Sequence, residues 1–99
     1  MAQGESPKFN EKAFRELNHT LQDIFGSDRA PVSLFFVPTY PTGMWSFQYG
    51  LKGNIAGPNH DKEAEIESFV TSQGLRYYNA ALHNASFALP NFVKELIKK

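Results

Sequence analysis

The chain has 99 residues, and its ten basic and ten acidic side chains give a formal net charge of zero at pH 7. Hydrophobic residues make up 41% of the chain and aromatic residues 14%, which excludes a disordered protein and suits one small domain. The zero net charge argues against a nucleic-acid binder held by phosphate contacts, and the absence of cysteine excludes disulfides and thiolate metal sites.

The chain also lacks the signals of a membrane or secreted protein. No apolar run approaches the ~20 residues that span a bilayer. The first residues lack the basic start and the apolar core of a signal peptide. We therefore expect a cytoplasmic protein with no membrane partner.

Residues 9–25 are predicted to form the first helix, because apolar side chains recur there at helical spacing. Asn10, or Ser6 followed by Pro7, can cap its start, and Gly26 ends it. The apolar side chains that share its predicted inner face are Phe14, Leu17, Leu21, Ile24 and Phe25.

Two strands are predicted next. Residues 32–37 are short, bulky and bracketed by prolines, which is typical of a strand buried on both faces. Residues 45–52 alternate, so that Trp45 and Phe47 share one face with Tyr49 and Leu51. The short connection rich in proline and glycine predicts an antiparallel hairpin.

The second half of the chain is predicted to contain a helix over residues 61–73 and a short strand over 75–78. Residues 79–89 are predicted to be irregular or to form one turn of helix, and a last helix is predicted over 91–98. The residues expected to face inward from the two helices are Ile66, Phe69, Val70, Phe92, Val93, Leu96 and Ile97. These elements make an α/β chain. A two-stranded hairpin is marginal by itself, so we expect further sequence or a second copy to complete the sheet.

Motifs for several kinds of chemistry are missing. His19, His60 and His83 lie far apart in the sequence without metal-ligand spacing, so no metal site is expected. His83 is more typical of a hydrogen-bonded structural residue. The sequence has neither a glycine-rich phosphate loop nor a serine nucleophile elbow.

The most informative segment is residues 38–45, where a stiff loop places Tyr40 and Trp45 together. One interpretation is a rigid hairpin corner with two aromatic side chains packed on it. The other places the phenol and the indole at the mouth of a site, since a rigid loop holds a phenol with little entropy to lose and an aromatic face attracts an ammonium group.

Three segments of the chain resemble the spermidine synthases, which are polyamine aminopropyltransferases. Residues 37–47, Val-Pro-Thr-Tyr-Pro-Thr-Gly-Met-Trp-Ser-Phe, are similar to the proline–tyrosine–proline loop of that family. Residues 77–79 with His83 and residues 85–90 resemble its C-terminal signature, and residues 2–7 resemble the segment that leaves its fifth core strand. The resemblance covers nearly the whole chain and is least distinctive over residues 51–73.

The resemblance implies a fold and a domain boundary. Residues 1–99 would be a single unit, the C-terminal third of a Rossmann-like, methyltransferase-type α/β domain. That third holds the end of one strand, a helix, the antiparallel strand pair, a helix, a short strand and the terminal helix. The N-terminal β-domain and the nucleoside-binding half of such an enzyme would be absent.

The resemblance also implies an activity. Spermidine synthases transfer an aminopropyl group from decarboxylated S-adenosylmethionine to putrescine, giving spermidine and methylthioadenosine. The donor is a co-substrate, and no cofactor is expected. The family's catalytic base would lie upstream, so no catalytic residue is expected in this chain.

Three positions carry over as substrate-binding residues. Tyr40 matches a tyrosine whose hydroxyl binds an amine, Gln3 a glutamine near an amine end, and Trp45 a wall beside the methylene chain of the diamine. Gln3 as a strand-end cap and Trp45 as hairpin packing are the structural alternatives. Tyr77 and Tyr78 are interpreted as structural.

Two hypotheses follow for the chain as a whole. In the first it contributes the wall of a diamine pocket to the enzyme and is inactive alone. In the second it is a non-catalytic module that pairs through its open sheet edge. Such a module would assemble with itself or with another chain. Under the two hypotheses together, the expected protein partner is a second copy of the chain or the remainder of the enzyme.

Overall fold

The computed structural model of the chain describes residues 1–41, 43–58 and 62–99. The elements in chain order are β1 (Ala2–Gln3), α1 (Glu11–Phe25), β2 (Val32–Phe36), β3 (Met44–Gln48), α2 (Glu63–Gln73), α3 (Ala80–Ala85) and α4 (Asn91–Ile97). Among the described residues, no helix combines the length and the apolar character needed to cross a membrane.

The described strands form one antiparallel sheet with the order β1-β3-β2. The predicted hairpin is confirmed, with Phe35 opposite Trp45. The third strand, β1, lies where the resemblance implies the end of a strand, and it places Gln3 opposite Phe47. Strand β3 is therefore the central strand, and it fixes the register of both neighbours.

The two faces of β3 are as the alternation predicts, but the more deeply buried face is the polar one. Ser46 and Gln48 are fully buried. They share their side of the sheet with Val32 and Leu34, the residues opposite them on β2. This side packs on the helices, in a core formed by Phe14, Val32, Val93 and Leu96 with Leu34, Leu89 and Ile97 against it.

Helix α1 begins at Glu11, two residues later than predicted, and ends at Gly26 as predicted. Phe14 is buried as expected, whereas the prediction that Ile24 faces inward is wrong, because Ile24 is 66% exposed. Asn18 and Gln22 are buried in its place. These polar side chains are tolerated because the Gln22 amide donates to Asn18 Oδ1 and to the Ile97 carbonyl of α4.

In the second half, the strand predicted over residues 75–78 is wrong. Residues 76 and 77 form a bend, and none of residues 75–78 is in a strand. A short helix, α3, follows them, and Asn79 Oδ1 caps its start by accepting from the Leu82 amide at 2.8 Å. Helix α2 begins at Glu63 and ends at Gly74, whose left-handed backbone suits glycine. The predicted start of α2 at residue 61 lies outside the described residues.

The burial expected for residues 32–37 on both faces is also wrong at one end of the strand. Strand β2 lies at an edge of the described sheet, and Phe36 is 70% exposed. Part of the edge is covered by the end of α3, where the Leu34 amide donates to the Ser86 carbonyl at 2.8 Å. The described edge is thus open mainly at Phe36.

Candidate functional site

Gln3 and Trp45 lie on the same face of the sheet. Gln3 is opposite Phe47 in the register, and Phe47 shares a face with Trp45 because side chains on a strand alternate. This face is the one opposite to the helical core. Gln3 is exposed, whereas Trp45 and Phe47 are half-buried.

Tyr40 joins the same group through its ring. The ring meets the indole of Trp45 edge-on, with centroids 4.8 Å apart and planes at 75°. The side chain is 39% exposed. The structure therefore brings Tyr40 and Trp45 into direct contact and places Gln3 on the same face of the sheet.

The wall beside Trp45 is aromatic. The rings of Phe35 and Phe47 stack with centroids 4.3 Å apart and planes at 13°. Trp45 Nε1 is buried without a hydrogen-bond partner among the described residues. An aromatic wall of this kind packs on methylene groups and attracts an ammonium group, while the Tyr40 oxygen and the Gln3 carbonyl can accept hydrogen bonds from an amine.

A buried clamp, formed by Gly4, Ser46 and Gln48, fixes the strand that carries Gln3. The Gly4 amide donates to the Ser46 carbonyl at 2.8 Å. Ser46 Oγ donates to the Glu5 carbonyl at 2.8 Å, and Gln48 Nε2 donates to the carbonyls of Gly4 and Phe14, each at 3.2 Å. A Cβ on Gly4 would lie 2.4 Å from Gln48 Cγ, so the contact requires a glycine.

The clamp was missed from the sequence. Ser46 and Gln48 appear there only as the polar positions of an alternating strand, which are usually exposed. No local pattern pairs them with Gly4, because Gln48 lies 44 residues from Gly4 in the sequence. The structure adds a sign of local constraint at Glu5, whose φ of 68° is unusual for a residue with a side chain.

His83 lies in a separate hydrogen-bonded cluster. One ring nitrogen is 2.8 Å from the Tyr78 hydroxyl, and the other contacts the Pro58 carbonyl at 2.5 Å. The ring also packs on Phe87, with centroids 5.6 Å apart. These contacts tie the loop before α2 to α3. Within the described ranges, no group of His, Asp and Glu side chains could hold a metal ion, and His60 lies outside those ranges.

A cavity of about 480 Å³ lies between β2 and α3, and it is lined by none of Gln3, Tyr40 and Trp45. The residues that line it are Leu34, Phe35, Phe36, Met44, Tyr77, Tyr78, Leu82, His83, Ala85 and Ser86. Most of them are apolar.

Comparison with known proteins gives the family context. No protein-family model matches the chain. Curated relatives named polyamine aminopropyltransferase do match it. That of Caldicellulosiruptor saccharolyticus is 39% identical over 98 residues, covering 99% of this chain and 32% of the relative. That of Moorella thermoacetica is 37% identical with the same coverage.

Solved structures agree with the curated relatives. The crystal structure of spermidine synthase from Thermotoga maritima matches 97% of this chain with a TM-score of 0.78 and 35% identity, and the match covers 32% of that protein. A spermidine synthase in complex with the transition-state analogue AdoDATO matches with the same values. The chain spans about a third of the length of the relatives it matches. It is thus related over almost all of its length to the polyamine aminopropyltransferases, as its motifs predict, and it corresponds to a C-terminal portion of such an enzyme.

Proposed function

We propose that the chain forms one wall of the diamine pocket of a spermidine synthase. The complete enzyme would transfer an aminopropyl group from decarboxylated S-adenosylmethionine to putrescine and release methylthioadenosine. The observation that carries this proposal is the edge-on contact of Tyr40 with Trp45 on the face of the sheet that also holds Gln3.

The reaction asks two things of this wall, binding and orientation. A neutral amine attacks the carbon next to the sulfonium, a C–N bond forms, the C–S bond breaks and its electron pair goes to sulfur. The amine must lie in line with the breaking bond, and such positioning is a large part of the rate enhancement. In the proposal, Tyr40 and Gln3 accept hydrogen bonds from the amine groups, and Trp45 packs on the methylene chain.

The wall supplies no charge of its own. Residues 30–51 contain no Asp, Glu, Lys or Arg, and in the proposal, following the resemblance, the carboxylates that balance a cationic diamine come from the remaining two-thirds of the enzyme. The same holds for the general base that removes the amine proton. We therefore assign no catalytic residue to this chain and no cofactor to the reaction.

A chimera tests this proposal. The matching third of Thermotoga maritima spermidine synthase is replaced by this chain, and methylthioadenosine release is measured with putrescine as the acceptor. We expect turnover within about tenfold of the parent enzyme, because a 35% identical segment with a TM-score of 0.78 should rebuild the same wall. A chimera that folds and binds the donor but does not turn over would contradict the proposal.

A different surface supports a second candidate function, that of an assembly module. The cavity between β2 and α3 is flanked by two exposed aromatic side chains, Phe36 at 70% and Tyr77 at 77%. A second copy of the chain, or the remainder of the enzyme, is the partner in this candidate. The oligomeric state of the isolated chain distinguishes the two candidates, because an assembly module should self-associate whereas a pocket wall alone need not.

A further inference from the structure

The ring of Phe36 lies over Gly43, which is buried. A Cβ placed on Gly43 would be 2.5 Å from Phe36 Cε2 and 3.1 Å from Cδ2. The first separation is shorter than non-bonded carbon atoms tolerate, so the ring rests directly on the backbone of the glycine.

Gly43 in turn closes the loop that carries Tyr40. The Val37 amide donates to the Gly43 carbonyl at 2.8 Å, the Gly43 amide to the Tyr40 carbonyl at 3.1 Å, and the Tyr40 amide to the Val37 carbonyl at 3.0 Å. Gly43 has a φ of 69°, a left-handed conformation that glycine adopts at least cost. The backbone of Tyr40 is therefore bonded to both Val37 and Gly43, which are also bonded to each other.

Phe36 is the last residue of β2, and 70% of it is exposed, so its ring lies outside the described core. A polar or small residue at this position would lack a flat ring that covers Gly43.

We propose that Phe36 is a positioning residue for Tyr40. By covering Gly43 it keeps the three backbone hydrogen bonds of the loop closed, and this closure holds the Tyr40 ring edge-on to Trp45. The inference about the loop geometry stands on the contacts above. Its consequence for turnover rests on the proposed function, in which the Tyr40 hydroxyl contacts the amine.

The contact between Phe36 and Gly43 makes their substitutions interdependent. Gly43→Ala introduces both backbone strain and a clash with the ring. In a Phe36→Ala background the clash is removed and the strain is kept. We therefore expect Gly43→Ala to lower the folding equilibrium constant several-fold less in the Phe36→Ala background than in the parent chain, whereas independent sites would give additive effects.

Trp45 provides a direct measurement of the loop, because it is the chain's single tryptophan. Phe36→Ala is expected to reduce the near-ultraviolet circular dichroism of Trp45 and to shift its fluorescence emission, as Tyr40→Ala does, with the far-ultraviolet spectrum unchanged. Phe36→Tyr keeps the ring and should preserve both signals. Phe69→Ala removes a similarly exposed aromatic residue, 56% exposed on α2, and is the matched control.

The chimera with the Thermotoga maritima enzyme supplies the second measurement. There Phe36→Ala should lower kcat/KM for putrescine about tenfold, since small displacements of a positioning group have effects of this order or larger, and Phe36→Tyr should restore it.

If Phe36→Ala changes the Trp45 signals but not kcat/KM, the positioning inference stands and the assigned role of Tyr40 fails. If Phe36→Ala leaves the Trp45 signals as they are in the parent chain, the positioning inference is overturned. Should Phe36→Ala prevent folding, Phe36→Leu, which keeps apolar bulk without a flat ring, replaces it with the same two outcomes.

Discussion

The phenol of Tyr40 meets the indole of Trp45 edge-on, with ring centroids 4.8 Å apart. Because this contact is between the two rings, a substitution that keeps the ring of residue 40 preserves it. The packing role and the hydrogen-bonding role of Tyr40 are therefore separable. A substitution that removes only the hydroxyl distinguishes a hairpin corner from a binding residue.

The first prediction concerns Tyr40→Phe in the chimera. The change keeps the ring on Trp45 and removes the hydrogen bond to the substrate amine that the proposal assigns to Tyr40, a bond worth roughly 1.5–3 kcal/mol if the amine is charged. We expect kcat/KM for putrescine to fall about tenfold or more, while the melting temperature stays within about 1–2 °C of the parent.

Tyr77→Phe is the matched control for this change. Tyr77 is 77% exposed and lines the cavity between β2 and α3, away from Tyr40 and Trp45. Its hydroxyl should contribute to neither activity nor stability. Equal losses of stability and activity in Tyr40→Phe would instead favour the interpretation of a hairpin corner.

The second prediction is that the 99-residue chain alone does not catalyse aminopropyl transfer. General base catalysis contributes about 10²–10⁴-fold and positioning more, and the proposal places the base and the nucleoside site outside this chain. Methylthioadenosine release with putrescine and the donor should equal the uncatalysed rate. The preparation must contain no spermidine synthase from the expression host. Turnover above the uncatalysed rate would then contradict the proposal that the base and the nucleoside site lie outside this chain.

Much of the fold was predictable because local patterns determine it. The hairpin follows from an apolar strand, a proline-rich connection and an alternating strand, and its register places Phe35 opposite Trp45. Gly26 and Gly74 end their helices as predicted, since the backbone at a helix end is a local property. The resemblance to spermidine synthases was likewise carried by short contiguous motifs.

The wrong predictions concern residues whose burial is determined by contacts with parts of the chain that are distant in the sequence. Ile24 fits the apolar stripe of α1, yet Gln22 is buried instead because its amide reaches the Ile97 carbonyl at the end of α4. Gln48 is buried because it binds backbone carbonyls of Gly4 and Phe14, which lie 44 and 34 residues away in the sequence. Periodicity within one element does not contain this information.

The third prediction tests the clamp on the Gln3 strand. Gln48→Ala removes two buried hydrogen bonds and leaves a cavity, so we expect the free energy of unfolding to fall by about 2–4 kcal/mol. Urea unfolding followed by circular dichroism measures it. Gln73→Ala, at the exposed end of α2, should change the value by less than about 0.5 kcal/mol. A similar small change for both variants would show that the clamp does not hold β1.

The fourth prediction concerns Gly4 itself. Gly4→Ala would place a Cβ 2.4 Å from Gln48 Cγ and 2.6 Å from Ser46 Oγ, so β1 has to move away from β3. We expect a loss of about 1–3 kcal/mol in stability and, in the chimera, a higher KM for putrescine because Gln3 is displaced. Gly53→Ala is the comparison, since a Cβ there meets nothing within 4 Å, although its φ of 65° brings a backbone cost of its own. A KM equal to the parent value in a folded Gly4→Ala chimera would argue that Gln3 only ends a strand.

The last prediction concerns the open edge of β2, which we expect to support self-association of the isolated chain. Residues 32–37 carry no charge, and natural edge strands are usually blunted by charge. Along an edge strand of an antiparallel pair, the backbone N–H and C=O groups of alternate residues point away from the partner strand, and those of Leu34 and Phe36 do so in β2. The Leu34 amide is already bonded to the Ser86 carbonyl at this outer edge. Because only the end of the strand is open, most of the contact would come from side chains around the cavity, and we expect a weak two-fold dimer at micromolar concentration.

Tyr77→Glu tests this expectation without altering the loop that carries Tyr40. It places a charge on an exposed rim of the cavity, and loss of an aromatic side chain from the centre of an interface typically weakens binding about tenfold or more. Ile24→Glu, a change of the same kind at a 66% exposed position on α1, should leave the dissociation constant unchanged. Sedimentation equilibrium measures both variants. A cooperative, folded monomer of the parent chain at micromolar concentration would exclude the assembly role, and equal weakening by both variants would show that the chain associates through another surface.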